Sequence, residues 1–188
     1  MPKSTAVSEH ELIQKCKKGD LKYQEMLYKY FYGYAMGVGL RYLSDRDDAM
    51  EVVNDSFIKL FNGIGSFNDA NAFKPWLRKI VVNTALDRRR KDLKLLNNVD
   101  IEYASQVPKP AHLIESLTAR EILNLLNDLP EIQRIIFNLY EIDGYSHDEI
   151  GTMLNIPPSS SRTYLSRAKT KLRKAWNTQQ ETIYEKIC

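Results

Sequence analysis

Apolar positions recur at helical spacing along most of this chain. The cleanest run is Ala49, Val52, Val53, Ser56, Phe57, Leu60 and Phe61. That spacing predicts one helix with one buried stripe. Asp48, Glu51 and Asp55 fall on its other side, with Asn54 nearby. A second stripe, Phe73, Trp76, Leu77, Ile80, Val81 and Thr84, predicts another amphipathic helix, which ends in Arg88-Arg89-Arg90-Lys91. Pro75 is tolerated in its first turn, where a backbone N–H has no helical partner. Between the two helices, Gly63, Gly65 and the polar run Asn68-Asp69-Ala70-Asn71 predict a loop. Two further helices are expected upstream. One runs from about Ser8 to Lys18, before Gly19-Asp20. The other runs from about Leu21 to Leu43 and is rich in tyrosine and phenylalanine, which are expected to pack the core. Ser44-Asp45 then supplies a capping signal.

The periodicity fades between Leu95 and Ile114, and Val107-Pro108-Lys109-Pro110 favours an extended chain. It resumes with Leu117, Ile122, Leu125, Leu126 and Leu129. Pro130 opens another helix, expected to end before Gly144. Ser146 with Glu149 forms a capping box, and Ile150, Met153 and Leu154 face inward. Ile156-Pro157-Pro158 breaks the chain. Leu165, Ala168, Leu172 and Trp176 then give the apolar side of a last helix. Strand-like alternation is absent. The expected fold is all-α: two small helical domains joined by a flexible linker, the C-terminal one a helix-turn-helix. The expected boundaries are 1–95, a linker over 96–114, and 115–188.

Charge refines that division. The chain has 188 residues and a net charge of +3. Residues 1–95 hold 17 Lys/Arg against 12 Asp/Glu, and residues 151–188 hold 7 against 2. Residues 121–150 hold 1 against 7. Two basic segments flanking an acidic one suit two separate contacts with a polyanion. No apolar run approaches the roughly 20 residues that span a bilayer, so no membrane insertion is expected. The N-terminal stretch has no apolar core segment, so a secretory signal is not expected and a cytoplasmic location is. Cys16 and Cys188 have no CxxC partner, and His10, His112 and His147 are scattered. No metal or other cofactor is expected. No catalytic Ser/His/Asp set, phosphate loop or HExxH motif occurs, so no enzyme is expected.

The segment from Ser146 to Trp176 reads as a short helix, a tight break and a longer cationic helix. A helix-turn-helix places its second helix in the DNA major groove. Ser159, Ser160, Arg162, Thr163 and Ser166 lie on the N-terminal half, where short hydroxyls and one Arg can reach base edges. Arg167, Lys169, Lys171, Arg173 and Lys174 are suited to phosphates.

Here the chain resembles a family. Leu129-Pro130 with Arg134, Tyr145-Ser146 with Glu149-Ile150-Gly151, Leu154 and Ile156, and Arg162 through Lys169 with Leu172 are similar to region four of the sigma-70 family. Asp48 through Phe57 resembles its region 2.2, and Phe73 through Arg90 resembles its −10-reading helix. A short chain with only these two regions resembles an extracytoplasmic-function (group four) sigma factor. The resemblance implies a subunit that directs bacterial RNA polymerase core to promoters, melting the −10 element and binding the −35 element. Asp48, Glu51, Asn54 and Asp55 would dock on the β′ clamp helices, and the second domain on the β flap. Phe67, Asn68, Asn71, Lys79, Asn83, Arg88, Arg89 and Arg90 would hold the opened −10 strand, where flipped bases need pockets and the backbone needs cations. Ser159, Ser160, Arg162, Thr163, Ser166, Arg167, Lys169 and Arg173 would hold the −35 duplex. An anti-sigma factor or another recruiting protein is a further implied partner. The alternative is a stand-alone helix-turn-helix regulator. That alternative leaves the acidic face and the Phe73–Lys91 helix without a role.

The chain departs from the family pattern at the recognition helix. Pro157 stands where a Ser or Thr cap is common, Ser159-Ser160-Ser161 replaces Gly-Thr-Val or Gly-Thr-Ser, and Tyr164 replaces a basic or amide residue. Serines specify bases weakly, because a hydroxyl can donate or accept. The second domain alone is therefore expected to bind −35 duplex only modestly. A gel shift showing tight, sequence-selective binding would refute this.

Overall fold

The computed structural model describes residues 8–68, 72–96 and 123–187, with side chains described through 90 in the fourth helix and 177 in the last. Of the expected linker over 96–114, Leu96 is helical and 97–114 lies outside the described residues, as do Asn71, Leu117 and Ile122. All described secondary structure is helical. Contacts divide the chain into two compact units, one within 1–102 and one within 103–188.

In the first unit, α1 spans Glu9–Lys17 and is capped by Ser8, whose hydroxyl accepts from the Glu11 N–H. α2 spans Leu21–Tyr42 and is capped by Asp20. α3 spans Arg46–Gly63. The Asp45 carboxylate accepts from the Asp47 and Asp48 amides, and Asp47 and Asp48 place negative charge in the first turn. A 3₁₀ turn over Ile64–Ser66 leads towards α4, Phe73–Leu96. α2 packs on α1, α3 and α4, and α3 packs on α4.

The expected stripe of α3 is the centre of this unit. Ala49, Val52, Val53, Ser56, Phe57 and Leu60 are all buried, and the Ser56 hydroxyl donates to the Val52 carbonyl. α2 answers with Leu27, Phe31, Ala35, Val38 and Tyr42, and α4 with Phe73, Leu77, Val81 and Ala85. Gly39 faces Ala49 and Val53 closely enough that a Cβ there would sit 3.6 Å from both. Phe31 and Tyr42 are core residues, as expected of the aromatic-rich helix, whereas Tyr30 is 63% exposed. Cys16 is buried, and burial, reinforced by Asp20, pushes its thiol up to about 11. It packs as a small apolar group and stays protonated.

In the second unit, α5 covers 123–127 and α6 spans Glu131–Phe137. α6 runs on into a π-turn over Asn138–Ile142, closed by the Asp143 amide donating to the Asn138 carbonyl at 2.9 Å. Gly144, at φ +79, reverses the chain. α7 spans His147–Leu154 and α8 spans Pro158–Ile187. Leu126, Leu129 and Ala168 form a core against which Phe137 and Leu172 pack. Trp176, expected on the apolar side of α8, is instead 46% exposed. It lies one turn past Leu172, the last α8 residue to pack on that core.

Phe57 meets Tyr28 and Phe61 at ring-centroid distances of 4.7 and 6.0 Å. Phe57→Ala is expected to cost about 3–5 kcal/mol through lost transfer energy and a residual cavity. A lowered urea midpoint at unchanged helicity of the folded baseline would show it.

Candidate nucleic-acid and docking interfaces

The helix-turn-helix is assembled by local chemistry. Ser146 and Glu149 complete the capping box: the Glu149 amide donates to the Ser146 hydroxyl, and the Ser146 amide donates to Glu149 Oε2 at 2.8 Å. Asn155, at φ 54, ends α7 in the left-handed region. The turn is tight, because a Cβ on Gly151 would lie 2.8 Å from the Ile156 carbonyl oxygen. Pro158 opens α8, as its fixed φ and missing N–H favour. The Pro157 carbonyl accepts from the Ser160 and Ser161 amides.

This geometry sorts the residues of the expected recognition helix. Ser159, Arg162, Thr163, Ser166, Arg167, Lys169 and Arg173 are exposed, and Ser160 is half-buried. The Thr163 hydroxyl donates to the Ser159 carbonyl at 3.0 Å. Its single proton is thereby used, so towards a base edge Thr163 acts as an acceptor. Lys169 is ion-paired with Glu141 of the π-turn at 2.6 Å. A phosphate would have to compete with that carboxylate.

Two residues that the sequence did not single out hold the recognition helix in place. Ser161 is fully buried and its hydroxyl lies 2.9 Å from His147 Nδ1. His147 also stacks on Tyr140, with centroids 4.4 Å apart and planes at 21°. The first residue of α7 therefore touches both the π-turn and the first turn of α8. Residue 147 is 14 positions from 161, so no periodicity within either helix announces the contact.

The second candidate surface lies on α3 and α4. Asn54 and Asp55 are exposed, and Asn54 Oδ1 accepts from Tyr28 Oη at 2.9 Å. Asp48 and Glu51 are joined by Arg88 of α4, which donates from Nη1 to Glu51 Oε2 at 2.6 Å and from Nη2 to Asp48 Oδ1 at 3.1 Å. The side chains are 35–59% exposed, so each pair contributes about 0–1 kcal/mol to stability. A turn earlier on α4, Thr84 is bonded by Lys59 of α3 at 3.1 Å.

The residues expected at the −10 strand separate. Lys79, Asn83 and Asn68 are exposed. Arg90 is paired with Asp87 at 2.9 Å, and Arg89 is half-buried. Arg88 is drawn to α3, as above. Phe67 requires a correction, since its ring is not open to a base. It is 6% exposed and packs on Trp76 and Phe73 at 4.8 and 5.5 Å. Lys17 lies 5.7 Å from its centroid and donates to its carbonyl at 2.8 Å. An aromatic ring beside an apolar groove buries more area inward than in the loop, which is why it turned in.

Comparison with known proteins gives a consistent result. The family model for Sigma-70 region 2 matches residues 27–94, and that for Sigma-70, region 4, matches residues 119–172. The chain is 29% identical over 175 residues to the ECF RNA polymerase sigma-E factor of Haemophilus influenzae, covering 87% of this chain and 92% of the relative. It is 26% identical over 184 residues to the RNA polymerase sigma-H factor of Pseudomonas aeruginosa, covering 91% and 95%. Among solved structures it is similar to the sigma factor RpoE of Bartonella quintana in complex with the anti-sigma factor NepR. The TM-score is 0.57 at 20% identity, covering 81% of this chain and 96% of that one, and the likeness is one of fold.

Burial lowers the pKa of His147 below the ordinary imidazole value of 6.5; Arg162 and Lys169 act the same way and Asp148 opposes them. A group with a depressed folded-state pKa is protonated first in the unfolded chain. Its contribution to stability is therefore complete above about pH 6.5 and lost as pH falls through the lower folded value. The protection factors of α7 amides, which compare each exchange rate with the unstructured rate at the same pH, are expected to fall over that window, and His147→Gln is expected to flatten the dependence.

Proposed function

Because this chain belongs to the sigma-70 family, in its extracytoplasmic-function group, we propose that it directs bacterial RNA polymerase core to specific promoters through the surfaces described above. It is a promoter-specificity subunit. Its partners are core polymerase, promoter DNA and an anti-sigma factor. We place its action in the cytoplasm, where polymerase works, and assign it no reaction chemistry of its own.

The observation that carries this reading is the pairing of two unlike surfaces in one chain. One is a helix-turn-helix with an exposed cationic second helix. The other is a buried-stripe helix whose outer side carries Asp48, Glu51, Asn54 and Asp55. A stand-alone repressor needs only the first. On our reading, the four residues of α3 dock on the basic clamp helices of β′, and the second unit adds a contact to the β flap. Asn68, Lys79, Asn83, Arg89 and Arg90 hold the opened −10 strand. Asn83 suits a base edge and the cations suit the backbone. On α8, Ser159, Ser160, Arg162, Thr163 and Ser166 face base edges, while Arg167, Lys169 and Arg173 hold phosphates.

The test reverses Asp48, Glu51 and Asp55 to Lys in the full chain. We expect binding to purified core polymerase to fall by at least about 100-fold, since like charges at an interface cost several kcal/mol. Helicity should be retained, because all three side chains are outside the core. An unchanged core affinity would remove the docking assignment.

A further inference from the structure

Arg88 belongs to a run of cations on α4 that reads as a strand-holding patch. Its geometry says otherwise. At about 100° per residue, Lys79, Asn83 and Arg90 fall within roughly 40° of one another around α4. Arg88 and Thr84 lie roughly 100–180° away from those three. Thr84 marks the α3 side, because Lys59 of α3 bonds it. Arg88 continues that side and reaches Asp48 and Glu51.

The contact has a particular form. Arg88 uses one oxygen of each carboxylate, Oδ1 of Asp48 and Oε2 of Glu51. Among the described residues, Asp48 Oδ2 and Glu51 Oε1 take no hydrogen bond. One planar guanidinium thus holds two acids that would repel each other one turn apart on α3, and each keeps an oxygen for a second cation. Immobilising rotamer-rich side chains before association removes a cost that binding would otherwise carry.

We propose that Arg88 is a positioning residue of the polymerase-docking face: it presents Asp48 and Glu51, oriented, to a basic partner surface, and it does not hold the −10 strand. This rests on the docking role of those acids put forward above. Removing Arg88 leaves the face more acidic, so encounter with a basic partner is not slowed. What suffers is the lifetime of the complex.

The experiment measures association and dissociation of the full chain with purified core polymerase, for the wild type, Arg88→Gln and Arg88→Lys. In parallel, single-stranded −10 oligonucleotide is titrated onto holoenzyme formed at saturating core. Arg88→Gln is expected to dissociate from core about 3–10-fold faster, the range that freeing one or two side chains gives. Association should be equal or faster, and oligonucleotide affinity and its salt dependence unchanged. Arg88→Lys, which keeps the charge but loses the fork, should fall between the two. In an Asp48→Asn/Glu51→Gln background, Arg88→Gln should have no further effect on dissociation. Core dissociation unchanged, with weaker oligonucleotide binding and a shallower salt slope, would make Arg88 a strand contact and overturn the proposal. Equal losses in both assays with a lowered melting temperature would make it a fold residue and overturn it too. If the wild type itself fails to bind core, the proposed function falls; if it binds and only the Arg88 effects are missing, the positioning role alone falls.

Discussion

A helix with one apolar stripe has to bury that stripe, and α3 can do so only between α2 and α4. Six of its residues, from Ala49 to Leu60, enter the core. Each fully buried large apolar side chain contributes about 1.5–3 kcal/mol, so the orientation of α3 about its own axis is not free. Everything on its other side follows from that. Asp48, Glu51, Asn54 and Asp55 face outward because Ala49, Val52, Val53 and Ser56 face inward. The proposed docking surface is therefore set by the core, and its acids gain their direction from buried residues behind them.

The second unit solves a related problem with different means. A short helix of eight residues, α7, has little area with which to fix the angle of α8. Polar contacts do part of that work. The capping box fixes the start of α7, the αL residue Asn155 fixes its end, and Gly151 lets the Ile156 carbonyl come close. His147 then ties α7 to Ser161 and to Tyr140. The exposed serines and arginines of α8 are displayed by a joint built from small and polar groups.

Much of this was legible in the sequence, and the reasons differ by element. The stripe of α3 was legible because core burial writes a period of 3.6 directly into residue type. The capping box was legible because caps have short-range chemical requirements. The Arg88 contacts were not, since they join residues 37 and 40 positions apart and depend on how α3 and α4 cross. Composition alone made Arg88 one more cation in a basic run. Phe67 was misread for a similar reason. Its destination depends on a groove formed by Phe73, Trp76 and Lys17, which no local pattern encodes. The π-turn after α6 was hidden because its sequence, Asn138 to Ile142, is compatible with an ordinary helix end. Trp176 was placed on the apolar side of α8 by extending a true period past Leu172, the last described α8 residue that packs on the Leu126–Leu129–Ala168 core.

The central claim is that this chain confers promoter opening on a polymerase that lacks it. Permanganate footprinting of unpaired thymines tests it most directly, with purified core polymerase, the full chain and supercoiled promoter DNA from the source genome. The account predicts reactive thymines at a −10 element only when core and this chain are both present, with a run-off transcript starting downstream. Binding of the chain to that DNA without core, and no opening or transcript with core added, would contradict it.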